Sequence, residues 1–493
     1  MRIYNTLTGR KEEFIPLIPG KVKMYVCGVT VYDYCHIGHA RSAIVFDFIS
    51  RYLRYKGYNV TFVRNFTDID DKIINKAKQE GLSWDTVAKK YTQEYYEDMG
   101  RLGVGKADVE PKATEHIKEM IDTIKVLIDR GYAYEVDGNV YFEIDKFPEY
   151  GKLSKRDREE MIAGTRIEVD ERKKNPVDFA LWKRSKGGEP AWNSPWGPGR
   201  PGWHIECTAM SIKHLGESFD IHGGGADLIF PHHENEIAQS EAFTGKPFAR
   251  YWIHNGFITI DKEKMSKSLG NFFTVKEILD KFDPEVVRLF LLSTHYRSPI
   301  EFSDEQLSEA ESSLDRYYST ILRINSFLGT LIVSTSLGKN EAGEGSPDAE
   351  RIFEGRVLQF GERFEEAMDD DFNTALALGH IFGFIRDVNR FLDSRPSGPE
   401  ARESLQRTKE LLSEVGGVLN IFGRTPDAWY SSLVVTKKIG LSEKEILEKI
   451  KQRQDARQRK EWEVADRIRK ELEEKGIILE DKEDRTDWKV KVG

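Results

Sequence analysis

The chain has only three cysteines in 493 residues: Cys27, Cys35 and Cys207. So sparse and odd a set excludes a disulfide framework and points to a reducing compartment. No run of about 18 apolar residues occurs, so no membrane-spanning helix is expected. The opening stretch, MRIYNTLTGRKEEFIPL, lacks the continuous apolar segment of a secretory leader. The expectation is a cytoplasmic protein with no membrane association. Positive charge is not in excess either: 74 Lys and Arg stand against 83 Asp and Glu, a formal net charge of -9. Composition therefore does not announce a nucleic-acid partner, although a local basic face can serve one whatever the sign of the whole. An internal repeat of solenoid period is also absent. What is present is a globular composition, 39% hydrophobic and 32% charged, in a chain too long for one core. Three or four domains are expected.

The first segment reads as α/β. Val22 to Cys27 alternates like a strand, Gly28 follows, an amphipathic helix runs from near His39 to Tyr55, and Asn59 to Asn65 reads as the next strand. This is the βαβ unit of a doubly wound sheet. Residues from about 110 to 200 look like an insertion, with charged helices, a hairpin at Asp137-Gly138 and a loop rich in Pro, Gly and Trp. Ser218 to His222, followed by three glycines, resumes the first domain. Helical periodicity from about Glu309 to Phe422 is interrupted by a polar stretch, Ser334 to Asp348, expected to be a flexible loop. The last 60 or so residues are a smaller, highly charged unit. The expected fold class is α/β, a Rossmann-like domain split by an insertion, then a helical bundle and a small α+β unit. The expected segments are 1–110, 111–200, 201–248, 249–308, 309–423 and 424–493.

Three constellations carry chemistry. His36-Ile37-Gly38-His39 follows the first strand, where a loop meets a helix N-terminus. Free N–H groups and the positive dipole end there favour phosphate, the histidines add donors, and Gly38 lets a nucleotide approach the backbone. The bland alternative is a pair of ordinary helix-start histidines. Lys264-Met265-Ser266-Lys267-Ser268 places two lysines about a small hydroxyl residue in a glycine-containing loop, suited to a phosphate chain whose charge shifts during reaction. Alone, that pentapeptide reads more simply as a solvated basic turn. In the third, Cys27 ends the first strand, Cys207 lies in GWHIEC, and His232 and Glu236 lie in PHHENE. If the last segment is helical, His232 and Glu236 share a face and His233 points elsewhere. Two thiolates, an imidazole and a carboxylate make a zinc set. Two buried free cysteines beside an exposed His/Glu pair explain the same residues, and spacing alone favours that reading.

The HIGH and KMSKS signatures, in that order and separated by an insertion, resemble the class I aminoacyl-tRNA synthetases. The stretches CGVTVYDYCHIGHARS, NFTDIDDKII, ERKKNPVDFALWK, GRPGWHIECTAMS and DIHGGGADLIFPHHENEIAQSEA resemble the cysteinyl-tRNA synthetases, and with KMSKSLGNF the match covers nearly the full chain. The resemblance implies a ligase that activates L-cysteine with ATP and transfers it to the 3′-terminal adenosine of tRNA(Cys). His36, His39, Lys264 and Lys267 would be catalytic, and ATP would be bound by these with Gly38, Met265, Ser266 and Ser268. It also implies one Zn2+ per chain, held by Cys27, Cys207, His232 and Glu236, which selects a thiolate over the nearly isosteric serine. Mg2+ would come with ATP, and the chain would be a monomer. Gly28, Thr67, Trp203 and Asp227 are further expected cysteine-pocket residues, each open to a reading as ordinary packing or loop polarity.

The C-terminal unit, by the same resemblance, reads the anticodon through Arg457, Trp462, Asp466 and Asp481. Its basic residues are expected on one helix from Gln452 to Glu474, where interleaved acids also allow a salt-bridged solvated face. A glycine usual after the acidic turn is missing from Asp481-Lys482-Glu483-Asp484. Two rivals remain: a cysteine ligase of mycothiol biosynthesis, which would not need the C-terminal unit, and a catalytically dead synthetase-like RNA-binding protein, which would be expected to lose signature residues kept here.

Overall fold

The computed structural model describes residues 1–156, 172–260, 263–264, 272–334, 347–437, 439–481 and 486–491. Two compact units result. One comprises Met1–Val275, Thr294–Glu301 and Met368–Asn373, and the other comprises Lys276–Ser293, Phe302–Ala367 and Thr374–Gly493.

The first unit is built on four parallel strands: β1 (Lys21–Thr30), β2 (Asn59–Thr67), β3 (Phe219–Gly225) and β4 (Ala249–Asn255). Their order across the sheet is β2-β1-β3-β4. Nearly continuous apolar runs, such as Met24-Tyr25-Val26, bury both faces of β1, as a parallel sheet covered by helices requires. Helix α1 (Ile37–Tyr55) crosses from β1 to β2. Its buried Arg41 donates to the carbonyls of Phe257 (2.6 Å), Tyr296 (3.3 Å) and Ser298 (2.5 Å), fixing the segments after β4 against the helix. Burial away from any carboxylate draws that guanidinium down to about 10. Helices α2 (Trp203–Leu215) and α3 (Glu234–Thr244) flank β3 in sequence. The strands extend two or three residues beyond the sequence expectation, which stopped where glycines and polar residues begin.

The insertion forms its own antiparallel sheet of Ala133–Val136, Asn139–Phe142, Phe179–Arg184 and Gly199–Pro201. Its first turn is at Asp137 and Gly138, with φ of 52° and 80°, the left-handed pair a two-residue hairpin needs. The insertion does not keep a separate core: Val140, Phe142 and Trp182 belong to one apolar cluster with Tyr25, Ile205 and Trp252. A short return of the chain, Met368–Asn373, also completes this unit. Buried there, Asp371 accepts from the Tyr4 N–H (2.7 Å), the Tyr296 hydroxyl (2.9 Å) and Arg297 Nε (2.7 Å).

The second unit is mainly helical, with long helices Asp304–Ser334, α4 (Pro347–Asp369), α5 (Thr374–Asp393) and Pro399–Leu419. Stacked aromatics fill it, among them Phe353 on Phe391 (4.1 Å between centroids) and Tyr318 on Trp429 (5.0 Å). The expected loop at 334–348 falls almost wholly outside the described residues. The expected single helix from Gln452 to Glu474 is two, Glu443–Gln458 and α6 (Trp462–Glu474). The break is at Lys460, whose φ of 59° ends a helix without the glycine that usually marks such a stop. A hairpin of Ile477–Asp481 and Thr486–Val490 follows. No helix among the described residues is long and apolar enough to cross a membrane.

Candidate active site

In an open parallel sheet, ligands settle outside the carboxyl ends of strands where the connections reverse direction. Here that point lies between β1 and β3. A cleft of about 360 Å³ opens there. Cys27, Gly28 and Thr30 of β1 line it, with His36, Gly38 and His39 at the start of α1, Asp227 after β3, and Trp203 at the head of α2. Residues 27–39 thus meet Trp203 and Asp227 at one end of the sheet. Thr67 is not among them, because its buried hydroxyl donates to Glu206 Oε2 at 2.9 Å.

The shape of the cleft depends on close backbone contact between β1 and β2. The register slips between Val26 and Val29, and Gly28 lies within the slip. Its N–H donates to Asn65 Oδ1 at 2.9 Å, and a Cβ there would stand 1.6 Å from the Asn65 carbonyl oxygen. The irregularity is what turns Cys27 to the cleft floor. Gly224 is similarly closed, since a Cβ would lie 2.9 Å from the His233 ring.

His36 caps α1. Its Nδ1 accepts from the His39 N–H (3.3 Å), and His39 Nδ1 accepts from the His36 N–H (3.4 Å). The rings stack with centroids 3.6 Å apart. With both Nδ1 atoms engaged in the cap, any donation to a substrate must come from Nε2. Residues 265–268 lie outside the described residues, but their flanks are placed. Lys264 pairs with Thr259 in a short antiparallel ladder beside the cleft residue Ile258. On the other side, Thr274 bridges to His36, and the Val275 N–H donates to the Cys35 carbonyl at 2.8 Å. Both flanks therefore reach the cleft rim.

Beneath the floor, the side chains of Cys27, Cys207, His232 and Glu236 bring one donor atom each to within 4.8 Å of one another. Glu236 Oε1 is 3.2 Å from Cys27 Sγ and 3.0 Å from His232 Nε2. Cys207, His232 and Glu236 are almost fully buried, and Cys27 is the one that edges into the cleft. Burial alone would raise the Cys207 thiol, yet hydrogen bonding with Cys27 and the charge of His232 bring it down to about 6. Burial and the Cys207 charge hold the Cys27 thiol well above its usual range. Burial would make His232 less basic, but Glu236 raises it to about 10. Burial would also raise Glu236, and His222 with His232 instead hold it well below the usual carboxylate range. The shifts run towards an ionised Cys207 and Glu236 beside a protonated His232, and two sulfurs, an imidazole and a carboxylate form a donor set that suits zinc.

Sequence reasoning missed the side chains that hold these donors. His204 Nδ1 contacts His232 Nδ1 at 2.8 Å, so His232 presents Nε2 to Glu236. Trp203 stacks on the same imidazole, with centroids 4.2 Å apart. His222 Nε2 holds Glu236 Oε2 at 2.9 Å and lies flat on Trp252. His233 does not point away as the helical spacing suggested. It stands three residues before Glu236, a spacing that also shares a helix face, and its Nε2 lies 3.9 Å from Glu236 while Nδ1 meets His254 Nε2 at 2.8 Å. Cys27, His222, His233 and Glu236 consequently form a second, overlapping donor group. Lys72, over the Tyr32 ring at 5.4 Å, also lines the cleft. The available signal was the density of histidine in the GWHIEC, DIHGGG and PHHENE stretches.

In the second unit, Trp462 and Asp466 are exposed at the start of α6, with 59% of Trp462 accessible. Arg457 and Asp481 are paired with each other at 3.1 Å, and Asp481 also takes a two-point contact from the buried Arg453 (2.7 and 2.8 Å). Residues 482–485, in the expected acidic turn, lie outside the described residues.

Residues 13–312 match the family model described as the tRNA synthetases class I (C) catalytic domain, and residues 363–423 match the DALR domain. Two curated relatives, both named cysteine--tRNA ligase, align over the whole of both chains. That of Thermodesulfovibrio yellowstonii is 61% identical and that of Geobacter metallireducens is 56% identical. Among solved structures, Mycobacterium tuberculosis methionyl-tRNA synthetase in complex with methionyl-adenylate covers 84% of this chain and 96% of its own, with a TM-score of 0.60 at 18% identity. A putative arginyl tRNA synthetase from Campylobacter jejuni covers 82% of this chain and 93% of its own, with a TM-score of 0.53 at 13% identity. At those identities the likeness is one of fold.

Proposed function

This chain belongs to the class I cysteine--tRNA ligases, and from that membership we propose that it charges tRNA with cysteine in two steps, with the cleft residues in the following roles. The cysteine carboxylate attacks the α-phosphorus of ATP, giving cysteinyl-adenylate and pyrophosphate. The terminal adenosine of the tRNA then takes the cysteinyl group. His36 and His39, at the N-terminus of a 19-residue helix, receive the phosphates where the dipole and free N–H groups favour them. Lys264 and Lys267 act on charge that develops as pyrophosphate leaves. Mg2+ enters with ATP, held mainly by phosphates and water. Asp227 meets the cysteine ammonium group, and Trp203 covers the substrate side of His232. No covalent enzyme nucleophile is called for.

Cys27, Cys207, His232 and Glu236 would hold one zinc ion. Zinc bound there supplies affinity for a thiolate that a serine hydroxyl does not match. His204 and His222 orient two of its ligands, as outer partners of metal ligands do. The observation that carries this reading is that the buried donor set underlies the same cleft whose rim bears His36 and His39. Isolated protein is expected to contain about one zinc per chain and to exchange pyrophosphate into ATP with cysteine but not serine. Exchange that fails to prefer cysteine would overturn the proposal.

The α6 region is proposed to read the anticodon. The exposed face of Trp462 suits stacking on an unpaired base, an interaction worth about 1–3 kcal/mol by alanine substitution. Trp462→Ala is expected to raise the KM for tRNA by about 10-fold and to leave cysteine-dependent pyrophosphate exchange unchanged. Unchanged aminoacylation kinetics would remove Trp462 from the tRNA interface.

A further inference from the structure

A groove of about 240 Å³ runs between α4 and α5 in the second unit. Its walls carry Arg356, Arg363, His380, Arg386 and Arg390 against a single carboxylate, Asp387. Asp387 is taken up by Arg356 and by Arg390, the latter at 3.5 Å. Among the described residues, Arg363 reaches only the Gln359 side-chain oxygen (3.3 Å), and Arg386 has no carboxylate within ion-pair distance. This positive excess stands in a chain whose formal net charge is -9.

The floor is as informative as the walls. Phe360 and Phe384 are buried and stack with centroids 4.3 Å apart. Between the cations, α5 carries Gly379 and Gly383, one helical turn apart on the groove side. Glycine inside a helix lowers its stability relative to alanine. Packing does not demand it here. A Cβ on Gly379 would meet nothing within 4 Å, and one on Gly383 would meet only the Arg386 side chain, at 3.7 Å. What the two glycines provide is a shelf of helix surface without side chains among the guanidinium groups.

We propose that this groove seats sugar-phosphate backbone of the tRNA, with Arg363 and Arg386 each holding a phosphate and the glycine shelf admitting the ribose edge. Guanidinium groups suit the planar, two-point recognition of phosphate. The amide of Gln359 is engaged by Arg363 and the carboxylate of Asp387 by Arg356 and Arg390, so neither is offered to a base, and the contact serves position and affinity. The proposal rests on the reading of the chain as a tRNA-charging enzyme.

The test uses the full-length protein and unmodified tRNA, with the Kd followed from low to moderate potassium chloride. Each phosphate contact contributes about 0.7–0.9 to the slope of log K against log salt. R363A/R386A is expected to reduce that slope by about 1.4–1.8 and to weaken tRNA binding by about 10-fold or more at low salt. Pyrophosphate exchange with cysteine should stay as in the parent. A second variant guards against misfolding. Gly379→Glu places a carboxylate on the shelf at an open position with better helix propensity, and it should weaken tRNA binding at unchanged melting temperature. Parent-like affinity and salt slope in a folded R363A/R386A protein, or in G379E, would overturn the proposal. So would lost affinity for an acidic peptide with tRNA binding intact, which would assign the groove to a protein partner. Absence of cysteine-dependent exchange in the parent would instead count against the functional reading.

Discussion

Replacing Cys207 with serine is expected to empty the metal site and lower kcat/KM for cysteine by at least about 100-fold. Even a partner one layer removed from a metal ligand is typically worth 10–100-fold, and Cys207 is itself in the donor set. It is also the group best prepared to be a thiolate, since hydrogen bonding and the His232 charge overcome the burial that would keep it protonated. A serine hydroxyl at 207 stays neutral and cannot supply the thiolate ligand. Use of ATP should change far less, because His36 and His39 contact the cleft from α1 and share no hydrogen bond with the donor set. Metal analysis of C207S, together with pyrophosphate exchange against both substrates, checks this. Full zinc occupancy with normal cysteine kinetics would remove Cys207 from the ligand set.

The other large effect expected is from a single methyl group. Gly28→Ala would put a carbon 1.6 Å from the Asn65 carbonyl oxygen and 2.7 Å from its carbonyl carbon. Overpacking against side chains usually costs about 1–3 kcal/mol because rotamers yield. Here the obstacle is the neighbouring strand's backbone, so β1 and β2 must part at the slip that aims Cys27. The expected loss is about 3 kcal/mol or more, lowering Tm by about 5 °C. Zinc content should fall with it, since Cys27 moves with its strand. Thermal unfolding and metal content read the two effects separately. A G28A protein with parental Tm and zinc would show that the strands are not so tightly apposed.

Much of the catalytic unit was legible because its signals are local. Alternation in Val22–Cys27 and Asn59–Asn65 marked two central strands, and Asp137-Gly138 marked a hairpin that forms there. The donor set was legible only through resemblance. Cys27 and Cys207 lie on elements far apart in sequence, and spacing between them says nothing about distance. The imidazoles that orient the set were missed for the same reason, and His233 was misdirected because only its rotation away from His232 was weighed, whereas it stands three residues before Glu236 and so shares a face with it. Thr67 was expected in the pocket from its place at a strand end, but its hydroxyl meets the buried Glu206 instead. In the C-terminal unit, the break at Lys460 carries no glycine or proline to betray it. Arg457 and Asp481, chosen there as separate RNA contacts, are in contact with each other, and Asp481 is held chiefly by Arg453.

The buried carboxylate of Asp371 sets a timetable for biosynthesis. It accepts from the Tyr4 N–H across 367 positions of chain. At elongation rates of roughly 5–20 residues per second, that partner leaves the ribosome about 20–70 s after Tyr4 does. Until then, Asn5 and Thr6 are held by Arg250 and Trp252, but the Tyr4 N–H lacks its acceptor, and Tyr296 and Arg297 emerge without theirs. The catalytic half therefore cannot complete itself as a finished product of early translation. Nascent chains that stall before residue 371 would leave the Tyr4 N–H and the Tyr296 and Arg297 side chains without their shared acceptor, although every residue of the cleft has already been made.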